Sequence, residues 1–239
     1  MKKATEAMTK FVYWCLWVLF RVLATALFGV RFVGQERIPR KGGVLIVANH
    51  ASILDIPLLG CGIRRHVSFM GRHNLFPIPI LNPLLQRLGW IPIQQDRFDR
   101  KGFRRAERLL RDGHAVAIFP EGARTETGQL GEGKPGFATL VAKTGCHVLP
   151  AYIDGTFEAL PIGARWVSFR PVTVVYGELI DFTAQISLYP KKELYRRMTA
   201  GIMDAIAEQS LQVKSGNPIP TLPKVALSVA SKREPGQRD

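Results

Sequence analysis

The sequence contains few cysteines. Among its 239 residues there are three, Cys15, Cys61 and Cys146, and they lie far apart in the chain. An odd number of isolated cysteines without a Cys-x-x-Cys pair provides neither a disulfide framework nor the usual spacing of a zinc site. The pattern therefore favours a protein of a reducing compartment, and we expect no metal site.

Acidic residues are also scarce. The chain has 19 Asp and Glu against 33 Lys and Arg, so its formal net charge is +14. Such a charge favours an anionic partner, either nucleic acid or a membrane surface with acidic lipids. The sequence contains no recognisable nucleic-acid-binding motif, and its apolar N-terminus argues against that class of partner. We therefore predict an anionic membrane surface as a partner, and no nucleic acid.

The longest apolar run lies near the N-terminus, at residues 11–30, and Arg21 is its one charged residue. The run is long enough to cross a bilayer, but an arginine near its centre costs about 2.5 to 3.5 kcal/mol on insertion scales. Aromatic residues with basic flanks are typical of a helix that lies in the head-group region. We therefore predict a membrane-associated helical segment over residues 1–32, in the membrane plane or re-entrant in preference to a single span. The basic flank consists of Lys2, Lys3 and Lys10, which we place on the cytoplasmic side.

Short apolar strands alternate with helical patterns in the rest of the chain. Strands are predicted at residues 44–48, 66–70, 115–119, 148–153 and 171–177, and helices at 100–111, 136–143 and 191–209. This alternation predicts an α/β domain over residues 33–211, with a mostly parallel, mixed sheet flanked by helices. Residues 212–239 are rich in Pro, Ser, Lys and Gly, and we predict a disordered tail there.

The first candidate site follows the apolar strand at residues 44–48 and reads NHASILD, residues 49–55. If Asp55 accepts a hydrogen bond from one ring nitrogen of His50, the other nitrogen becomes a base that can take a proton from a hydroxyl. Five residues of continuous helix turn through about 500°, so the pair requires a bend between them. Asp55 is predicted to cap a helix that has Pro57 in its first turn, with His50 in the loop before it. A structural histidine and a plain cap are the alternative.

The second candidate site follows the strand at residues 115–119 and reads FPEGART, residues 119–125. Glu121 and Arg124 lie in this turn with Gly122, and Lys134 follows in a glycine-rich stretch. Arginine supplies a planar fork for phosphate, lysine a point charge, and glutamate an acceptor for a hydroxyl or a partner for the arginine. The turn could therefore bind an anionic ligand that carries a hydroxyl, or it could be an ordinary solvated turn.

Together these two motifs resemble the NHxxxxD and FPEGxR blocks of the PlsC-type glycerolipid acyltransferase family, typified by 1-acyl-sn-glycerol-3-phosphate acyltransferase. The resemblance extends over about residues 33–177. It includes LGWIPI at residues 88–93 and VLPA at residues 148–151. The order and separation of the two main blocks match the family.

The resemblance implies transfer of a fatty acyl chain from an acyl thioester to the sn-2 hydroxyl of lysophosphatidic acid, which yields phosphatidic acid in phospholipid biosynthesis. His50, oriented by Asp55, would be the base, and transfer would be direct because no Ser or Cys lies in a recognisable nucleophile elbow. The donor would be acyl-CoA or an acyl carrier protein, with no bound cofactor. The location would be the cytoplasmic face of the inner (cell) membrane. The residues implied to hold the acceptor are Glu121, Gly122, Arg124, Arg97 and Lys134.

One departure from the family pattern leaves the acceptor open. The family usually has an Asp-Arg pair directly after the second block, whereas here Gln94 and Gln95 precede Asp96-Arg97, so the pair comes two residues late. Another lysolipid, such as lyso-ornithine lipid, or glycerol 3-phosphate therefore remains an alternative acceptor. An alternative of another class is a basic membrane-binding protein without catalytic activity.

Overall fold

The computed structural model describes residues 2–73, 81–94 and 99–216, with side chains from residue 7 onward. Helices and strands alternate along these residues, as predicted. The helices are α1 (Lys2–Phe28), α2 (Asp55–Cys61), α3 (Leu81–Arg87), α4 (Arg100–Arg111), α5 (Gly136–Thr144), α6 (Thr156–Ala159), α7 (Thr183–Ile186) and α8 (Lys191–Lys214). The strands are β1 (Arg31–Val33), β2 (Val44–Ala48), β3 (Val67–Arg72), β4 (Ile91–Ile93), β5 (Ala115–Ile118), β6 (His147–Asp154) and β7 (Thr173–Tyr176).

The strands form one seven-stranded sheet in the order β1-β7-β6-β2-β5-β3-β4. Every neighbouring pair is parallel except β6 and β7, which are antiparallel. The predicted α/β fold with a mostly parallel, mixed sheet is therefore confirmed. The prediction missed β1 and β4, which have three residues each and too short an apolar run to stand out in the sequence.

Both faces of the sheet are covered by helices. All residues of the central strands β2 and β5 are buried, which is why they are continuous apolar runs rather than alternating ones. On one face, side chains of α1, α2 and α6 contribute to one hydrophobic cluster, and on the other face α4, α5 and α8 contribute to a second. The sheet is thus the middle layer of three.

The last helix is longer than predicted. It continues to Lys214, past the predicted end at residue 209 and into the tail predicted from residue 212. Val213 packs against the second hydrophobic cluster, which explains why these residues remain helical. Residues 217–239 lie outside the described residues, so a disordered tail over them stays a prediction.

Helix α1 packs one side against the domain. Tyr13, Trp17, Arg21, Ala24 and Phe28 recur every three or four residues and therefore share one face of the helix. The Tyr13 hydroxyl accepts a hydrogen bond from the Val67 amide, and Ala24 and Phe28 are buried in the first hydrophobic cluster. The other side of α1 carries large apolar side chains that are exposed. They are Met8, Phe11, Trp14, Val18, Leu19, Phe20, Val22, Leu23 and Leu27.

The contact between α1 and α2 explains the arginine inside the apolar run. Arg21 donates to the carbonyl of Cys61 at 2.7 Å, and the Trp17 indole donates to the carbonyls of Gly60 and Ile63. The carbonyls of Gly60 and Cys61 belong to the last turn of α2, where the regular helical hydrogen bonds end, and Ile63 lies two residues past the helix. Arg21 is therefore a capping group for a neighbouring helix.

Candidate active site

The two sequence motifs meet at the carboxyl edge of the sheet. Strands β2 and β5 are parallel neighbours, with Val47 opposite Ile118, so the loops that follow them leave the same edge. The backbone amide of His50 donates to Glu121 Oε1 at 2.8 Å, and the Thr125 amide donates to the His50 carbonyl at 2.9 Å. Ligands bind at this edge in open α/β sheets. The structure therefore brings both candidate sites into one.

His50 and Asp55 form a hydrogen-bonded pair. His50 Nδ1 lies 2.9 Å from Asp55 Oδ2, and the same oxygen accepts from the amides of Ala51 and Ser52. The Asp55 side chain is fully buried, whereas 16% of the His50 side chain is exposed. Since Asp55 accepts the Nδ1 proton, the lone pair of Nε2 is left for the substrate side. Within the part of the chain that the structure describes, Nε2 has no hydrogen-bond partner.

The helix cap was predicted wrongly. Leu54 occupies the cap position of α2, and Asp55 is its first helical residue. The carboxylate turns back to the loop, where Ala51 and Ser52 supply two donors, instead of bonding to the amides of its own helix. The bend between His50 and Asp55 is present as predicted. It arises because the Asp55 carboxylate points back toward the loop before α2.

Two neighbours that were not identified from the sequence as site residues fix the position of the imidazole. The His50 ring stacks on Phe119, with ring centroids 4.0 Å apart and an angle of 13° between the planes. The Asn49 amide group forms a pair of hydrogen bonds with the backbone of Ile153 in β6, at 2.9 and 2.7 Å. The stacking on Phe119 and the hydrogen bonds of Asn49 to β6 therefore fix the imidazole before any substrate binds. The first residue of FPEGART was the available signal for Phe119.

Glu121 joins two loops. One carboxylate oxygen accepts from the His50 amide and the other from the Gly131 amide at 2.9 Å. The side chain is 9% exposed, and burial raises the pKa of Glu121 above its usual value against the opposing effect of the two amides. A Cβ atom at position 131 would lie 2.9 Å from Glu121 Oε2, so a larger residue there would displace the carboxylate. Because both oxygens are occupied, we infer a positioning role, and direct acceptor binding by Glu121 stays a prediction.

The cationic residues lie around this edge. Lys134 is exposed, its backbone amide donates to the Pro120 carbonyl, and its side chain lies over Gly122, whose φ of 77° suits glycine. Arg124 is partly exposed, and among the described residues its side chain makes no ion pair or hydrogen bond. Arg97 lies outside the described residues, as do Gln95 and Asp96. Binding of the acceptor by Gly122, Arg124, Arg97 and Lys134 stays a prediction.

The nearby backbone amides are occupied. The amides of Ala51 and Ser52 donate to Asp55, that of His50 donates to Glu121, and that of Gly122 donates to the Phe119 carbonyl. The Ser52 hydroxyl, two residues from the base, donates to the Leu160 carbonyl at 2.7 Å. The structure therefore uses these groups to hold the loop in place, and Ser52 is not free to act as a nucleophile.

Comparison with known proteins identifies the family. The model of a family described as "Acyltransferase" matches residues 29–154, more than half of the chain, and this stretch contains both motifs. The chain belongs to this acyltransferase family. Within the residues that the structure describes, no group of three or more His, Cys, Asp and Glu side chains is placed to hold a metal ion.

Three acyltransferases illustrate the similarity. The chloroplastic 1-acyl-sn-glycerol-3-phosphate acyltransferase of Arabidopsis thaliana is 33% identical over 146 residues, which are 59% of this chain and 40% of the plant protein. The 1-acyl-sn-glycerol-3-phosphate acyltransferase of Borreliella burgdorferi is 27% identical over 79% of this chain and 75% of its own. The crystal structure of the 1-acyl-sn-glycerophosphate acyltransferase from Thermotoga maritima has a TM-score of 0.68 and 29% identity, and the match covers 86% of this chain and 82% of that one. The chain thus spans less than half the length of the plant relative.

The two hydrogen bonds that Glu121 accepts lead to a first prediction. Glu121→Gln leaves one acceptor oxygen for two backbone donors and turns an NH₂ group toward the other, so we expect kcat to fall about tenfold or more and KM to change little. Glu126→Gln is the matched control, because Glu126 is exposed in the same loop. Steady-state kinetics of both variants test whether these two hydrogen bonds are needed. An unchanged kcat in Glu121→Gln would show that the two amides do not need the carboxylate.

Proposed function

We propose that this protein transfers a fatty acyl chain from an acyl thioester to the sn-2 hydroxyl of lysophosphatidic acid, which yields phosphatidic acid for phospholipid biosynthesis. The observation that carries the proposal is the 2.9 Å contact between His50 Nδ1 and Asp55 Oδ2, at an edge that also holds Arg124 and Lys134. The similar proteins of known name, which act on this acceptor, support the choice of substrate.

The transfer is proposed to be direct. Nε2 of His50 takes the proton of the acceptor hydroxyl while its oxygen attacks the thioester carbonyl. Asp55 stabilises the imidazolium that forms. Collapse of the tetrahedral intermediate expels the thiolate, which takes the proton back from His50, so the products are an ester and a free thiol. The base is regenerated, and the sequence of steps uses neither a metal nor a bound cofactor.

The acceptor phosphate is assigned to the cationic side of the site. Arg124 precedes Thr125, whose amide donates to the His50 carbonyl, so its backbone lies next to the base. A guanidinium offers two parallel N–H groups to a phosphate, and the Lys134 ammonium adds a point charge. Arg97 is a further candidate from the sequence.

The acyl donor is proposed to be acyl-CoA or an acyl carrier protein, as the family resemblance implies. Both present the same group, a thioester on a phosphopantetheine thiol, so the chemistry at His50 is identical. A comparison of kcat/KM for one acyl chain on the two carriers decides between them.

The protein is proposed to act at the cytoplasmic face of the inner (cell) membrane, with α1 in the membrane plane. Residues 7–28 are long and apolar enough to cross a bilayer. However, contacts with the domain run from Tyr13 to Phe28, which corresponds to about 22 Å of helix. Packing against a folded domain along this length supports in-plane binding over a single span. The exposed apolar side of α1 also supports in-plane binding, and the net charge of +14 supports an anionic surface.

The experiment that tests the proposal is transfer of a radiolabelled acyl chain from CoA and from acyl carrier protein to lysophosphatidic acid by the detergent-solubilised chain. A lyso-ornithine lipid and glycerol 3-phosphate are the competing acceptors. Phosphatidic acid as the main product would support the proposal. Transfer to a competing acceptor alone would leave His50 as the base and would show that lysophosphatidic acid is not the acceptor. No transfer by folded protein would favour a non-catalytic membrane-binding protein.

A second prediction concerns the phosphate. Arg124→Gln removes a charged donor, and we expect KM for lysophosphatidic acid to rise roughly tenfold to a hundredfold with a smaller change in kcat. Monoacylglycerol lacks the phosphate and is expected to be a slower acceptor. The rate of transfer to it should be the same in wild type and in Arg124→Gln. Arg104→Gln, an exposed position on α4, is the matched control for loss of one charge. An equal loss of activity with lysophosphatidic acid and with monoacylglycerol would show that Arg124 does not bind the phosphate.

A further inference from the structure

A second exposed apolar surface lies in residues 161–170, between α6 and β7. The exposed fractions are 45% for Ile162, 85% for Trp166, 39% for Val167 and 62% for Phe169. Large apolar side chains this exposed and this close together are uncommon on soluble surfaces and indicate an interaction site. We name residues 161–170 the aromatic loop.

The charges of the aromatic loop indicate what covers it. Arg165 and Arg170 are exposed, and residues 160–172 include no Asp or Glu. Tryptophan and phenylalanine beside arginine are typical of the boundary between lipid head groups and acyl chains. Phosphates of anionic lipids complement the two guanidinium groups. A bilayer surface therefore matches both the apolar and the charged side chains of the loop.

The aromatic loop adjoins the apolar side of α1. The Phe169 ring contacts the ring of Phe28 at the end of α1, with centroids 5.7 Å apart, and the Val172 amide donates to the Phe28 carbonyl. Leu27, next to Phe28 in the chain, is 43% exposed. Ala159 and Val172, which flank the aromatic loop in the chain, share the first hydrophobic cluster with Phe28. A bilayer that contacts α1 therefore lies within reach of the loop.

The aromatic loop also adjoins the loop between β2 and α2, which carries His50. The Ser52 hydroxyl donates to the carbonyl of Leu160, the residue before the aromatic loop, and the Ser52 amide donates to Asp55. The Ser168 amide donates to the Ala159 carbonyl, which closes the loop back on α6. One hydrogen bond therefore separates the start of the aromatic loop from the segment that holds His50.

We propose that the aromatic loop is a second membrane contact, which holds the entrance of the site on an anionic bilayer so that a lysolipid acceptor passes from the membrane to His50. Trp166 and Phe169 insert among the head groups, and Arg165 and Arg170 bind lipid phosphates. The role in acceptor entry rests on the proposed function, whereas the membrane contact itself does not.

The experiment compares two presentations of the acceptor. Full-length wild type, Trp166→Ser and Trp166→Ser/Phe169→Ser are assayed with long-chain lysophosphatidic acid in vesicles of phosphatidylglycerol and phosphatidylcholine, and with short-chain lysophosphatidic acid dissolved below its micelle concentration. We expect about a tenfold loss for the double variant on vesicles and no loss with the dissolved acceptor. Trp166→Ser keeps the contact between Phe169 and Phe28, so it shows a smaller loss of the same kind without a change in folding. Leu188→Ser is the matched control, since Leu188 is 70% exposed and its neighbours Ile186 and Tyr189 pack on the other face of the sheet.

A fluorescence measurement detects the membrane contact directly, without relying on acyl transfer. Vesicles containing brominated phosphatidylglycerol should quench a larger share of tryptophan emission in wild type than in Trp166→Phe, which keeps an aromatic side chain. Equal quenching in the two proteins, or equal activity of wild type and double variant on vesicles, would overturn the proposal. So would an equal loss with both acceptors, or self-association of wild type that the double variant lacks. If wild type acylates neither acceptor, the proposed function fails, and the quenching result alone decides the membrane contact.

Discussion

His50→Ala is expected to lower kcat for acyl transfer by roughly 10²- to 10⁴-fold, the usual contribution of a positioned general base. The reason is the position of Nε2, the one ring nitrogen that the pair with Asp55 leaves for a substrate hydroxyl. His50→Gln should behave in the same way, because it keeps a polar side chain of similar size but supplies no base. Steady-state kinetics with lysophosphatidic acid and an acyl thioester measure the effect.

The control for His50 is His147→Ala. His147 is exposed at the amino end of β6, at the opposite edge of the sheet, so its loss should leave kcat unchanged. Thermal unfolding of all three variants confirms that they are folded. Activity of folded His50→Ala near the wild-type level would mean that another group takes the proton, and the mechanism proposed above would be wrong.

Asp55→Asn is expected to lower kcat by roughly 10²- to 10⁴-fold with little change in KM. An amide oxygen can still accept from Ala51 and Ser52, so the loop is retained, but the negative charge that stabilises the imidazolium is lost. Asp55→Ala removes the acceptor as well. It should also reduce the free energy of unfolding by about 1 to 3 kcal/mol, since two buried amides then lack a partner.

The comparison of the two Asp55 variants separates chemistry from folding. Thermal unfolding should distinguish Asp55→Ala from wild type, whereas kcat should be low in both variants. Asp112→Asn serves as the control for loss of a carboxylate, because Asp112 is exposed at the end of α4. If Asp55→Asn kept the wild-type kcat, Asp55 would be a structural residue of the loop alone.

The sequence predicts those features that depend on neighbouring residues in the chain. Buried parallel strands are continuous apolar runs, so β2 and β5 are visible as such. Helix α4 was predicted with the observed bounds because Phe103, Ala106 and Leu110 share one face and Gly113 follows its end. His50 and Asp55 are close in sequence, and one bend brings them together.

Features that join distant segments could not be predicted in the same way. Glu121 binds the amide of Gly131, ten residues later in the chain, and nothing in the spacing indicates that its two oxygens are occupied by backbone donors. A similar difficulty applies to Arg21, which looked like a costly charge inside an apolar run until the carbonyl of Cys61 was placed beside it. Pairing of a side chain with a distant backbone group depends on the tertiary fold, to which local patterns are insensitive.

The end of α2 is held by side chains from three other segments. Tyr176 donates to the carbonyl of Leu59, Trp17 to that of Gly60, Arg21 to that of Cys61 and Gln35 to that of Gly62. The other end of α2 begins with Asp55. The helix has seven residues and is therefore about 10 Å long.

Helix α2 therefore connects the contacts with α1 at one end to Asp55 at the other. The contacts of α1 with the rest of the domain run from Tyr13 to Phe28. Cleavage after residue 28 would remove the Trp17 and Arg21 donors from the end of α2, and we expect the position of Asp55 at its other end to become less well fixed.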